Sequence, residues 1–511
     1  MTQKTVSAWQ AKAAQKRATV YAKIPQEWTL DESTLQSALK ATDASVLHVP
    51  RECGILTDRE VTITESVDAT GLLEKIRSGA FSTTEVTIAF CKRAAIAHQL
   101  VNCLTEIFFD QAIQRAQELD DFFQKYGKVK GPLHGLPVSL KDSFQIRGIY
   151  STLGYISFLK NGPAETDSSM TSILLQAGAV LFVKTNVPQT LMAADTVNNV
   201  FGRTLNPHNV SLGPGGSSGG EGALVALRGS LLGIGTDIGG SCRVPALCCG
   251  VYGFRPTANR LPFGKQVLPS RSGWPGIEPC AGPLATTVRD VRLFMQTVID
   301  HEPWNIDWST YAIPWHTEPQ QMSKRLSIGV ILEDVAYPVS PSVAKAVRTA
   351  TAELQIRGHQ VSYLSDFPSI KEGYDVALEI FGLDDGRSLR HVHEGEEPFV
   401  KVVQDVLELF SDKTAPTKIS ELGPIAVRRD EQAEAWHKVF VDGGFDVLIT
   451  PGAAHTALPH DQFCITPYTA LWNLVDFPAC VVPLLQADMD ADIADKNFSS
   501  SKNLTLLYDF D

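Results

Sequence analysis

Residues 213–245 read GPGGSSGGEGALVALRGSLLGIGTDIGGSCRVP, a stretch with eleven glycines and neither lysine nor histidine. Glycine-rich runs usually cradle a phosphate or turn the chain. The hydroxyls of Ser217, Ser218 and Ser241 therefore need a separate reason. A phosphate loop requires Gly-x-x-x-x-Gly-Lys-Ser/Thr and a dinucleotide site requires Gly-x-Gly-x-x-Gly after a strand. Neither spacing occurs in residues 213–240. Gly216-Ser217-Ser218-Gly219-Gly220 does satisfy Gly-x-Ser-x-Gly, the strand-to-helix elbow that presents a nucleophilic serine, here Ser218. Its approach, TLNPHNVSLGPGG, lacks the apolar strand an elbow needs, although His301, His359, His455 and His460 follow it in the chain. A third reading gives the glycines to close backbone packing and the hydroxyls to nearby backbone groups.

Two further segments argue against a purely local role. GTDIGGSCRVP closes the stretch, and far upstream GLPVSLKDSF (135–144) reads as a short apolar strand ending in Lys141. At these residues the chain resembles the amidase signature family, hydrolases that use a Ser-Ser-Lys triad in place of Ser-His-Asp. The resemblance is carried by GPLHGLPVSLKDSF, VKTNVPQTLM, the opening stretch and GVYGFRPT, and extends from about residue 50 to beyond residue 480. Within the family the chain is similar to the fungal acetamidase type, through VTIAFCKRAAIAHQLVNCLTEIF, GYISFL, ETDSSM and HDQF.

The resemblance implies Ser241 as nucleophile, Ser217 as bridging serine and Lys141 as base, with Ser218 a supporting hydroxyl. The two triad serines lie 24 positions apart, the spacing of the family. It also implies a cis peptide before Ser217, and a place for Leu191 in the substrate site. In DIGGS, two glycines leave the N–H groups of Ile238, Gly239, Gly240 and Ser241 uncovered, so that they can converge on one oxygen beside Ser217. Asp237 and Arg243 bracket that turn as an ion pair.

Amide cleavage needs an activated nucleophile, a stabilised oxyanion and a proton for the departing amine. A lysine with its ordinary pKa of about 10.4 cannot accept a proton near neutrality, but burial disfavours the ammonium and lowers that value. Lys141, after Val138, Ser139 and Leu140 on a buried strand, suits the demand. Asp142 is read as structural, because a carboxylate too close would raise the amine again. Cys242 reads as a small buried hydrophobe, with no adjacent histidine to make a thiolate. The expected reaction converts a small monocarboxylic acid amide to carboxylate and ammonia through a Ser241 acyl-enzyme, without metal or organic cofactor. Two alternatives stay open: an amide- or ester-processing tailoring enzyme on the same triad, and a non-catalytic relative shortened at its C-terminus.

Composition is compatible with this. A net charge of -12 and a pI near 5.5 offer no basic face for nucleic acid, and no segment approaches the 18 or so apolar residues of a membrane span. Nine cysteines without secretory features read as reduced thiols, so the expected location is cytoplasmic, the partner a small-molecule amide, and a homodimer is left open.

The predicted architecture is α/β: one large domain with a twisted mixed β-sheet core surrounded by α-helices, the amidase signature fold. Apolar runs at 136–140, 180–185, 231–238, 326–332, 445–451 and 479–484 are its predicted strands, assigned to one sheet. Residues 1–75 read as a helical arm packed on a main domain of 76–511, and roughly 385–425 as an exposed polar connection. After VVPLLQADMDADIADKNFSSS, a closing strand and helix expected from the family are missing before Asp511.

Overall fold

The apolar runs picked out above become strands in the computed structural model, which describes residues 7–40, 43–270, 276–316, 325–384, 386–411 and 419–487. In chain order the strands are β1 (Leu104–Ile107), β2 (Pro137–Lys141), β3 (Val180–Thr185), β4 (Val197–Asn198), β5 (Gly202–Arg203), β6 (Leu232–Asp237), β7 (Tyr252–Arg255), β8 (Cys280–Ala285), β9 (Ser327–Val330), β10 (Gln360–Tyr363), β11 (Val447–Ile449) and β12 (Ala479–Val481). Seven of them make the central mixed sheet, in the order β1-β3-β2-β6-β8-β7-β12. At its centre β2 runs parallel to both β3 and β6, and the remaining pairings are antiparallel. Every residue of β2, β3, β6 and β8 is buried, as expected of strands covered by helices on both faces.

The expectation of one sheet is corrected. Strands β9, β10 and β11 form a separate three-stranded parallel sheet with β9 in the middle. The reason is local connectivity: β9, the helix Pro341–Ile356 and β10 form one strand-helix-strand crossover whose strands pair with each other. An apolar run predicts a strand but not its partner. Strand β8, CAGPLA, was hidden by its glycine and proline.

The stretch 385–425 is also corrected. Expected to be an exposed connection, it carries the helices Arg387–Glu394 and Lys401–Ser411 and the start of Ile419–Gly443, with Val392 of the first buried. On the second helix Val402, Val403 and Val406 are buried, and the exposed Lys401 pairs with the buried Asp405. Averaged polarity conceals a one-sided apolar stripe of this kind.

Helices Ala8–Tyr21, Glu32–Ala38, Val49–Glu52, Asp58–Glu65 and Ala69–Arg77 make up the N-terminal segment. Its Ala13, Val20, Trp28 and Leu72 belong to the same buried cluster as Val138, Val183 and Ile234 of the sheet. A buried pair, Lys16 with Glu106, ties the first helix to β1. The helix Thr83–Val101 starts at Ser82, whose hydroxyl accepts from the Glu85 N–H at 3.1 Å, and the Glu85 carboxylate pairs with Arg59. The helix Ser169–Gln176 is capped by Ser168, and Asp167 accepts from the Arg147 N–H at 2.8 Å. The strand and helix expected to be missing concern residues 488–511, which lie outside the described residues. Among the described residues no helix is long and apolar enough to cross a membrane.

Asp290 joins the N-terminal segment to the helix Val288–Asp300, accepting from the N–H groups of Ala69 (3.1 Å) and Thr70 (2.8 Å). Asp290→Ala leaves those donors buried without a partner, and is expected to destabilise the fold by about 1–3 kcal/mol. A lowered midpoint in thermal or urea unfolding reports it.

Candidate active site

Strand β2 delivers Lys141 to the middle of the sheet, and β6, its parallel neighbour, delivers Thr236 and Asp237 beside it. Ser217 sits on the loop entering the helix Gly219–Ala226. The Gly216–Ser217 peptide is cis. A side chain at Gly216 would overlap the Ala193 carbonyl oxygen, so only glycine lets the two backbones approach here.

Lys141 is 0 % exposed. Its Nζ lies 2.8 Å from Ser217 Oγ, 2.9 Å from Thr236 Oγ1 and 3.4 Å from the Thr236 carbonyl. Burial pulls the amine down to about 8, with Asp237 and Glu221 drawing it part of the way back.

Ser241 is part-exposed and lines a cleft together with Gly216, Leu191, Ile238, Gly239 and Gly240. Its carbonyl accepts from the Ser218 N–H at 3.1 Å, which holds the two serine loops together. No hydrogen bond joins the Ser217 and Ser241 hydroxyls among the described contacts, so the structure forms the lysine-to-serine link and leaves the serine-to-serine link open. Such contacts commonly tighten only when substrate is bound.

The turn after β6 is organised by Asp237. Its carboxylate accepts from the N–H groups of Gly240 (2.9 Å) and Cys242 (3.1 Å), from Arg243 Nε and Nη2 (3.0 Å each) and from Asn473 Nδ2 (3.0 Å). Burial alone would raise this carboxyl, but the Arg243 guanidinium and the other donors outweigh it and hold the group well below the carboxylate range. Asn473 Oδ1 in turn accepts from Arg243 Nη2 at 2.6 Å. The predicted ion pair is thus present and bidentate. One predicted donor is corrected: the Gly240 N–H is spent on Asp237. The amides of Ile238, Gly239 and Ser241 make no hydrogen bond among the described residues. Thr469 Oγ1 donates to the Gly239 carbonyl at 2.7 Å, and Gly240, at φ +129°, has no room for a side chain against Thr469.

Other expectations are placed as follows. Ser218 is fully buried, its hydroxyl 3.4 Å from the Thr236 carbonyl, while His301, His359 and His460 bond elsewhere, so the elbow arrangement is not formed. Leu191 has φ +63° and lines the cleft. Asp142 turns away from Lys141, accepting from Thr105 Oγ1 (2.7 Å) and from the N–H groups of Thr152 (2.9 Å) and Leu153 (2.7 Å). Cys242 is buried, with its thiol pushed well above the usual range by burial, and all nine cysteines are free thiols.

Sequence reasoning missed Thr236, Glu221, Thr469 and Asn473. Thr236 directly precedes Asp237 at the end of a predicted strand, and that position was the available signal. Glu221 is buried between Ser139 Oγ (2.6 Å) and Thr185 Oγ1 (2.8 Å); burial raises its carboxyl to about 7 against the pull of those hydroxyls. Asn473 and Thr469 lie on the helix Pro467–Leu474, more than two hundred residues away in sequence, and nothing local marks them.

The fold and this cleft define an amide-hydrolysing enzyme. Residues 85–506 match the family model described as Amidase, and the chain belongs to the amidase family. It is 44 % identical over 489 residues to an "Amidase" of Gibberella moniliformis, covering 95 % of this chain and 92 % of that one. It is 38 % identical over 516 residues to an "Acetamidase" of Emericella nidulans, covering 98 % and 91 %. Among solved structures, a "Fatty acid amide hydrolase" superposes with a TM-score of 0.88 at 31 % identity, covering 93 % of this chain and 83 % of that one.

Removing Arg243 leaves the buried Asp237 carboxylate without its counter-charge. Arg243→Ala is expected to destabilise the protein by about 3–5 kcal/mol. Equilibrium unfolding in urea, alongside Asp290→Ala, gives the comparison.

Proposed function

We propose that the chain hydrolyses the C–N bond of a small monocarboxylic acid amide to the carboxylate and ammonia through an acyl-enzyme on Ser241. The observation that carries this reading is a lysine amine without solvent exposure, 2.8 Å from the Ser217 hydroxyl. Neutral Lys141 takes the Ser217 proton as Ser217 takes that of Ser241, and the Ser241 oxygen attacks the carbonyl carbon. The amides of Ile238, Gly239 and Ser241 hold the developing oxyanion; a donor of this kind is worth about a hundred- to a thousand-fold in rate. The proton then returns from Lys141 through Ser217 to the leaving nitrogen, ammonia departs, and water hydrolyses the ester by the same relay. Thr236 Oγ1 fixes the Lys141 amine toward Ser217. Similarity to acetamidases supports a small aliphatic amide, and the free thiols support a reducing, cytoplasmic location.

Only the neutral amine accepts a proton. kcat/KM for ammonia release is therefore expected to rise with pH and level off above about 8, the value to which burial pulls Lys141. Lys141→Ala should lower kcat/KM by about 10²–10⁴-fold and abolish that limb. A fluorophosphonate should modify Ser241, as peptide mapping reads directly; modification of Ser218, or of no serine, overturns the assignment.

A further inference from the structure

Beyond Ser241 the cleft is walled by apolar side chains from three separate regions. Leu378 and Phe381 come from the helix Ile370–Gly382, Val406 and Leu409 from the helix Lys401–Ser411, and Leu191 and Met192 from the loop that follows β3. Among the described residues, none that lines the cleft carries a charge. Of the polar ones, Tyr374 already accepts from the Thr466 N–H, at 3.3 Å. The cleft opens to solvent.

From this wall we infer that the substrate's acyl group is uncharged, apolar and larger than acetyl. The inference rests on the Ser241 reading above and specifies its substrate. With the carbonyl oxygen held by the amides of Ile238, Gly239 and Ser241, the group on the carbonyl carbon meets the Phe381 ring, which stands 3.5 Å from where a Gly239 side chain would begin. A two-carbon acyl group leaves most of the apolar wall facing water, whereas a longer one removes it from water. A carboxylate or ammonium on the acyl chain would be desolvated without a partner, which disfavours amino-acid amides and the half-amides of dicarboxylic acids.

The test uses the full chain and two readouts. In the first, kcat/KM is measured for acetamide, butyramide, hexanamide, phenylacetamide, glutamine and N-hexylacetamide. The expected gain is about three- to fourfold per methylene from acetamide to hexanamide, with glutamine poorest. A maximum at acetamide, a flat series, or preference for glutamine overturns the inference. So does a gain confined to N-hexylacetamide, which would put the wall on the amine side. In the second, the rate of Ser241 modification is compared for a methyl and an octyl fluorophosphonate, without any turnover. Faster modification by the octyl reagent supports the inference. Equal rates overturn it while leaving Ser241 as nucleophile, and no modification by either overturns both. Val406→Trp and Leu409→Asp, which narrow and charge the wall from one helix, should each reduce the hexanamide-to-acetamide ratio at least tenfold; an unchanged ratio in a folded variant overturns the assignment of that wall.

Discussion

The exclusion of water from one lysine amine governs the centre of this molecule. Lys141 ends a strand with parallel neighbours on both sides, and no residue of that strand reaches the surface. An ammonium in such a place loses its hydration, and three oxygen contacts from Ser217 and Thr236 replace only part of it. The proton is consequently held less tightly than in solution. The covering helices keep that neighbourhood dry, and the buried Asp142 carboxylate is spent on Thr105, Thr152 and Leu153 and not on Lys141.

A second constraint acts on the turn after β6. Backbone amides can face a cleft unbonded only if something else fixes the backbone that carries them. Asp237 does this by gathering two amides, a guanidinium and the Asn473 side-chain amide on one buried carboxylate, and Thr469, one turn earlier on the same helix as Asn473, holds the Gly239 carbonyl. The helix Pro467–Leu474 therefore contributes to a site otherwise assembled within residues 141–243.

The parts of this arrangement that are local in the chain were legible before any coordinates. Lys141, Ser217 and the DIGGS turn lie on short words whose residue types are hard to explain otherwise, and β2, β3 and β6 are continuous apolar runs. Strand partnership was not legible, because β9 and β11 look in sequence like further members of the central sheet. Nor were Thr469 and Asn473, whose roles arise only from long-range packing. The helix Lys401–Ser411 was misread because its apolar residues fall on one face among charges that dominate any average. The Gly240 amide was overcounted because a glycine shows that a backbone is accessible without showing which acceptor occupies it.

The bond-breaking centre and the walls of the cleft belong to different stretches of chain. Lysine, serines and amides are set by strands and turns before residue 250, whereas Leu378, Phe381, Val406 and Leu409 stand on helices more than a hundred residues later. Mutations that reshape those later helices need not disturb the sheet beneath. A gene encoding such a chain can thus diversify what it recognises while its reactive core stays under separate selection.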